Sequence, residues 1–136
     1  MDVHGIRPTS EAGKYFGLNW TGWRPLADYV AEVAPDLYDK VEASWFRNDG
    51  HGLNAEDALA LADVLESKMD SDAMKQAAAL AVEEDDRLRD EYRRKGWPVE
   101  PDLESWLKHG IGESWLPDRI RSFAAFLRAS GGFEMW

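Results

Sequence analysis

Residues 45–57 read Trp45-Phe46-Arg47-Asn48-Asp49-Gly50-His51-Gly52-Leu53-Asn54-Ala55-Glu56-Asp57, a glycine-paired polar turn set directly against the start of a helix. Asn54 suits the N-cap, where a side-chain oxygen takes up a backbone N–H that the first helical turn leaves unpaired, and Asp57 falls at the third helical position. Beyond it Ala58, Leu61, Ala62, Leu65 and Met69 recur at helical spacing and give the segment one apolar face. In front of it Asn48 and Asp49 suit side-chain to backbone turn bonds, while Gly50 and Gly52 can supply positive φ.

Outward from this point the pattern stays helical. Leu26, Tyr29, Val30 and Val33 lie at i, i+3, i+4 and i+7, and Pro25 suits a first helical position. Pro35 ends that helix and opens a shorter one through Leu37, Tyr38 and Val41. Ser71 caps a long segment carrying Met74, Ala78, Ala81, Leu88 and Tyr92, with Gly96 placed to stop it. Its charged end predicts i,i+4 pairs such as Glu83 with Arg87 and Glu91 with Lys95. Asp85 falls on the apolar line between Ala81 and Leu88, a local inconsistency that calls for a partner such as Arg89. Residues 97 to 116 are punctuated by Pro98, Pro101, Gly110 and Gly112, with room for one short helix over 103–108. The last helix opens at Pro117, shows Ile120, Phe123, Ala124 and Leu127, and closes at Gly131 and Gly132.

Residues 1–24 carry four glycines and the cluster Tyr15, Phe16, Trp20 and Trp23 without a sustained period. Such a group of aromatics is poorly tolerated in solvent, so an ordered irregular arm lying across the helical body is expected. Short extended pairings are foreseen only near this arm and at the tail. The fold expected is mostly α: a single domain over residues 1–136, of four or five helices, with the aromatic arm and a Pro/Trp-rich connector.

Composition narrows the function classes. The chain has 136 residues, enough for one core without crosslinks, and no cysteine, which removes disulfides, thiolate nucleophiles and cysteine zinc sites. The missing cysteine, and a first decad without an apolar centre, point to the cytoplasm. No apolar run approaches the ~20 residues of a membrane span. A formal charge of −10 opposes nucleic-acid phosphates and anionic membranes, so neither is expected as a partner.

Candidate sites each have a structural alternative. Asn48, Asp49 and His51, with Trp45, bring an amide, a carboxylate, an imidazole and an indole together as a ligand-binding site, yet the same residues serve a turn and a cap. A calcium loop fails: with Gly52 sixth, Arg47 stands first and Ala58 last, and with Gly50 sixth, Trp45 stands first. His4, His51 and His109 show no i,i+4 pairing, so no metal site is expected, nor any cofactor. The serines, Ser44 among them, occur in no Gly-x-Ser-x-Gly, and no catalytic residue is assigned. Glu83 to Asp86 point around most of a helix and read as a solvated face. Seven tryptophans are many for this length; core packing explains some, while Trp97, Trp106 and Trp115 are candidates for a protein-binding surface.

Lys14-Tyr15-Phe16, Trp23-Arg24-Pro25-Leu26, Asn48-Asp49-Gly50-x-Gly52-Leu53 before an Ala/Leu helix, and Phe126-Leu127-x-x-Ser130-Gly131-Gly132-Phe133 occur in this order. Together they resemble a group of small uncharacterised bacterial and phage proteins. The resemblance covers both ends and leaves residues 70 to 116 unmatched, where members carry Cys-x-x-Cys pairs that this chain lacks. It implies a fold and a setting but no known activity. The function expected is a non-enzymatic module that binds another protein, with a homodimer possible, as in regulators, immunity proteins and phage-encoded inhibitors. The alternative is a small-ligand binding protein or enzyme that uses Asp49 and His51.

Overall fold

In the computed structural model, which describes residues 1–41 and 45–136, the Asp57 N–H donates to Asn54 Oδ1 at 2.8 Å, so the helix after the polar turn starts at its expected cap. Ser44 lies outside the described residues. Among the described residues there are six α-helices: α1 Trp20–Val33, α2 Pro35–Asp39, α3 Ala55–Ser67, α4 Asp72–Lys95, α5 Glu104–His109 and α6 Trp115–Ser130. The same residues form three short strands, β1 Asp2–Gly5, β2 Tyr15–Gly17 and β3 Phe133–Met135. The mostly helical single domain is as expected, but six helices replace four or five, because the short α2 and α5 both form.

α6 is the central element, packed on α3, α4, α1 and the sheet. Its Ile120, Phe123, Ala124 and Leu127 are buried and meet the equally buried Leu61, Ala62 and Leu65 of α3 in one apolar core. Phe123 is the hub of the aromatic part, with Phe16, Trp23, Phe126 and Phe133 at centroid distances of 5.1 to 6.2 Å and Trp45 at 6.5 Å. On the exposed side, Arg128 of α6 donates to Glu66 and Asp63 of α3, closing the same pair of helices from outside.

The N-terminal arm is more regular than expected. β1 pairs antiparallel with both β2 and β3, in the order β2-β1-β3, so the two ends of the chain share one sheet. Strands of three and four residues are too short to show alternation, which is why no period marked them. Trp20 and Trp23 are not arm residues at all, since α1 begins at Trp20, capped by Asn19 Oδ1 accepting from the Gly22 N–H at 2.9 Å. Pro25 therefore sits inside α1 rather than at its start, in the second turn, where its missing N–H removes one bond of the helical ladder. Likewise α6 starts at Trp115, two residues before Pro117. Along α4, Glu91 pairs with Lys95 at 2.7 Å as expected, but Arg87 pairs with Glu84 at 2.9 Å and with Glu91 rather than with Glu83.

Removing the hub ring should leave a void that short helices cannot collapse into. Phe123→Ala is expected to lower the unfolding free energy by about 3–5 kcal/mol in urea titration, and a loss below about 1 kcal/mol would show that the ring cluster does not hold the core.

Candidate functional site

Helices α1 and α4 leave between them a half-open trough of about 840 Å³. From α1 it is lined by Thr21, Gly22, Arg24, Pro25, Asp28, Tyr29 and Glu32, and from α4 by Ala77, Leu80, Ala81, Glu84, Asp85, Arg87 and Leu88. Trp20, Trp106, Ile111 and Trp115 also line it. Apolar side chains dominate this wall, and two of them are unusually open to solvent, Trp20 at 49% and Leu80 at 59%.

Local sequence explains each wall. The α4 stripe is thin because Ala77 and Ala81 have no bulk to fill the space toward α1. Gly22 lets Trp115 approach α1, since a Cβ there would lie 3.2 Å from the indole edge. The outer side of Trp115 carries the Arg119 guanidinium, 5.8 Å from its ring centroid. Pro25 has no N–H for the Thr21 carbonyl, so that acceptor lacks its usual helical donor.

Asp85 organises the connector end of the trough. Its carboxylate accepts from the Trp106 indole N–H at 2.6 Å, from the Ile111 backbone N–H at 3.1 Å and from Arg89 Nε at 3.0 Å. The side chains of Asp85 and Arg89 are only 11% and 12% exposed. A carboxylate taken so far from water needs this number of donors, and here it has them. Gly110, at φ +66°, lies against Arg89, where a Cβ would come within 2.4 Å of the guanidinium. Arg93 also donates to the Leu107 carbonyl. The inconsistency at Asp85 is thus resolved: it clasps residues 106–111 to α4.

Of the three tryptophans singled out for protein binding, Trp106 and Trp115 meet at the trough. Trp97 stands outside it, edge-on to Tyr92 at 4.9 Å and beneath the Lys95 ammonium at 4.7 Å, and reaches Trp106 only through Tyr92. Trp20 and Leu80 were missed. Leu80 carried a signal, a large apolar residue off the apolar face of α4, and Trp20 became readable only once α1 was known to start there.

The polar turn lies outside this trough. His51 Nδ1 and Asp49 Oδ1 are 3.0 Å apart, and both side chains, like Asn48, are exposed. Trp45 does not join them: it is 1% exposed, and its indole N–H donates to the Tyr38 carbonyl at 2.9 Å. The indole beside the turn is Trp136, against which Gly50 packs at φ +87°. Residues 50–54 run along the outer edge of β3, with Met135 N–H donating to the His51 carbonyl, Gly50 N–H to the Met135 carbonyl and Phe133 N–H to the Leu53 carbonyl. Among the described residues, no three His, Cys, Asp or Glu side chains gather as a metal ligand set, and no helix is long and apolar enough to cross a membrane.

The hydrogen bond from His51, more than any other influence, holds the Asp49 carboxyl below the ordinary aspartate range. A carboxylate depressed in the folded state stabilises above its unfolded pKa, near about 4, and that contribution is lost as pH falls through the folded value. An NMR titration should place the Asp49 midpoint lower in the wild type than in His51→Ala; equal midpoints would mean that the contact is not made in solution. Asp85→Ala should expose Trp106, red-shifting its emission and opening residues 97–114 to proteolysis, whereas Asp86→Ala should do neither. Equal protection in both variants would exclude the clasp. No protein-family model matches the chain, and no curated protein or solved structure matches it either.

Proposed function

We propose that this chain is a non-enzymatic, cytoplasmic protein-binding module of the regulatory or accessory type, and that a partner docks in the trough between α1 and α4. The observation that carries the reading is the exposure of Trp20 and Leu80 on two helices that line one concavity. Half-exposed large apolar side chains scattered singly over a surface mean little, but two of them lining one trough together with Trp106 and Trp115 make an apolar surface that water solvates poorly. Tryptophan is among the residue types most enriched at binding hot spots. The rival reading, a small-ligand site on Asp49 and His51, has weaker support, because the turn lies along a strand edge and Trp45 faces the core.

Leu80→Asp places a charge in the lining of the trough, and Leu59→Asp does the same at a comparably exposed leucine on α3, away from it. Immobilised wild type and Leu59→Asp should retain a common protein from lysate of the source organism, and Leu80→Asp should lose at least about tenfold of it. Retention of nothing above background by the wild type, or equal retention by Leu80→Asp, would sink the reading.

A further inference from the structure

We infer that the segment docking in the trough is a cationic amphipathic helix of about three turns, belonging to another protein. This rests on the proposed role of the trough and adds the shape and charge of its occupant. The shape follows from the two walls. Six lining residues between 21 and 32 of α1 and six between 77 and 88 of α4 share one spacing, i, i+3, i+4, i+7, i+8 and i+11, with Trp20, Gly22 and Arg87 lining the trough beside them. Each set is one continuous helical stripe, about 16 Å long at 1.5 Å per residue, which equals three turns of a third helix. Ala77 and Ala81 on one side let that helix come close, and Leu80 and Trp20 stand where its apolar residues would insert. An amphipathic helix laid into an apolar groove is a recurrent way of recognising a peptide, with anchors at i, i+3, i+4 and i+7.

Charge decides the chemistry of its flanks. Asp28 and Glu32 are exposed on the α1 wall, one turn apart, and neither has an ion-pair partner among the described residues. Across from them Glu84 is held only by Arg87, an exposed i,i+3 pair of the weak kind that an incoming cation can replace. Arg24, the remaining cation at the trough, lies 6.0 Å from the Phe46 ring centroid. Lysine or arginine at i and i+4 of a docked helix would therefore meet Asp28 and Glu32. Other occupants meet the wrong field: a second copy of this chain carries the same −10, and anionic lipid or nucleic acid is repelled at the same rim.

The test uses three synthetic 14-residue helical peptides that share leucines at i, i+3, i+4 and i+7 and carry lysine, glutamate or glutamine elsewhere. Binding is followed by tryptophan emission and calorimetry, and oligomeric state by sedimentation. The lysine peptide should bind the wild type at least about tenfold more tightly than the glutamate peptide. Asp28→Lys/Glu32→Lys should lose about tenfold for the lysine peptide. The control Asp70→Lys/Glu83→Lys, with the same change in net charge but off the trough, should lose less than about threefold. Asp28→Asn/Glu32→Gln gives the same direction with less perturbation, should the reversal impair folding. Equal effects in the trough and control variants would overturn the inference, since the attraction would then be to net charge alone. If the glutamine and lysine peptides bind equally and both are lost in Leu80→Asp, the trough stands as a docking surface while the cationic partner is excluded. A concentration-dependent dimer abolished by Leu80→Asp would overturn it in favour of a second copy. If no peptide responds to Leu80→Asp and no dimer forms, the docking role of the trough fails as well.

Discussion

Trp45 fixes the geometry on which the rest of the molecule depends. Its indole N–H donates to the Tyr38 carbonyl, and its own carbonyl accepts the indole N–H of Trp23 at 2.8 Å. The ring stacks on Tyr38 at 5.2 Å and on Trp23 at 6.0 Å. A buried indole with no acceptor for its N–H costs more than its apolar surface suggests, so two indoles that are both satisfied by backbone leave few other arrangements open. With Trp23 held in this way α1 cannot rotate about its axis, and the side of α1 opposite Trp23 is committed to the trough.

The same residue ties the polar turn to the end of the chain. Trp45 lies 6.0 Å from Phe133 of β3, and a few residues later the backbone runs along the outer edge of that strand. Close approach there requires glycine: a Cβ on Gly52 would sit 1.8 Å from the Phe133 carbonyl oxygen. An exposed strand edge invites pairing with other chains, and residues 50–54 occupy this one. The amide, carboxylate and imidazole of the turn are thus carried by a segment whose backbone is already engaged in covering the sheet. Their position is explained by that role without any ligand.

What could be read in the sequence was whatever depended on local spacing and caps. The apolar face of α3, the caps Asn54 and Ser71 and the αL stops at Gly96 and Gly131 are all local chemistry, and each stands where the pattern put it. Strands of three residues carry no period, so the sheet joining the two ends was legible only as an expectation of short extended pairings. Pro25 misled for a related reason. It is compatible with a first helical position, but the Asn19 cap starts α1 at Trp20, so the proline falls in the second turn and the Thr21 carbonyl loses its usual donor. The trough was not legible as a site, because it is made by pairing two helices with residues 34–71 between them, and no spacing along one chain reports that. Its residues were partly visible one at a time, Trp106 and Trp115 as surplus indoles and Asp85 as a carboxylate on an apolar line.

Asp85 shows why such inconsistencies repay a physical account. An apolar residue at that position would have continued the α4 stripe between Ala81 and Leu88. The carboxylate instead recruits Trp106, the Ile111 N–H and Arg89 and draws the connector onto α4. Burying a charged pair of this kind is seldom the most stable choice, since a well-packed apolar replacement often matches or exceeds it. What the carboxylate provides that an apolar side chain cannot is direction: its oxygens fix the Trp106 indole N–H and the Ile111 amide at defined distances. One end of the trough is thereby closed by an aromatic wall of set orientation, while the middle, floored by alanines, stays open.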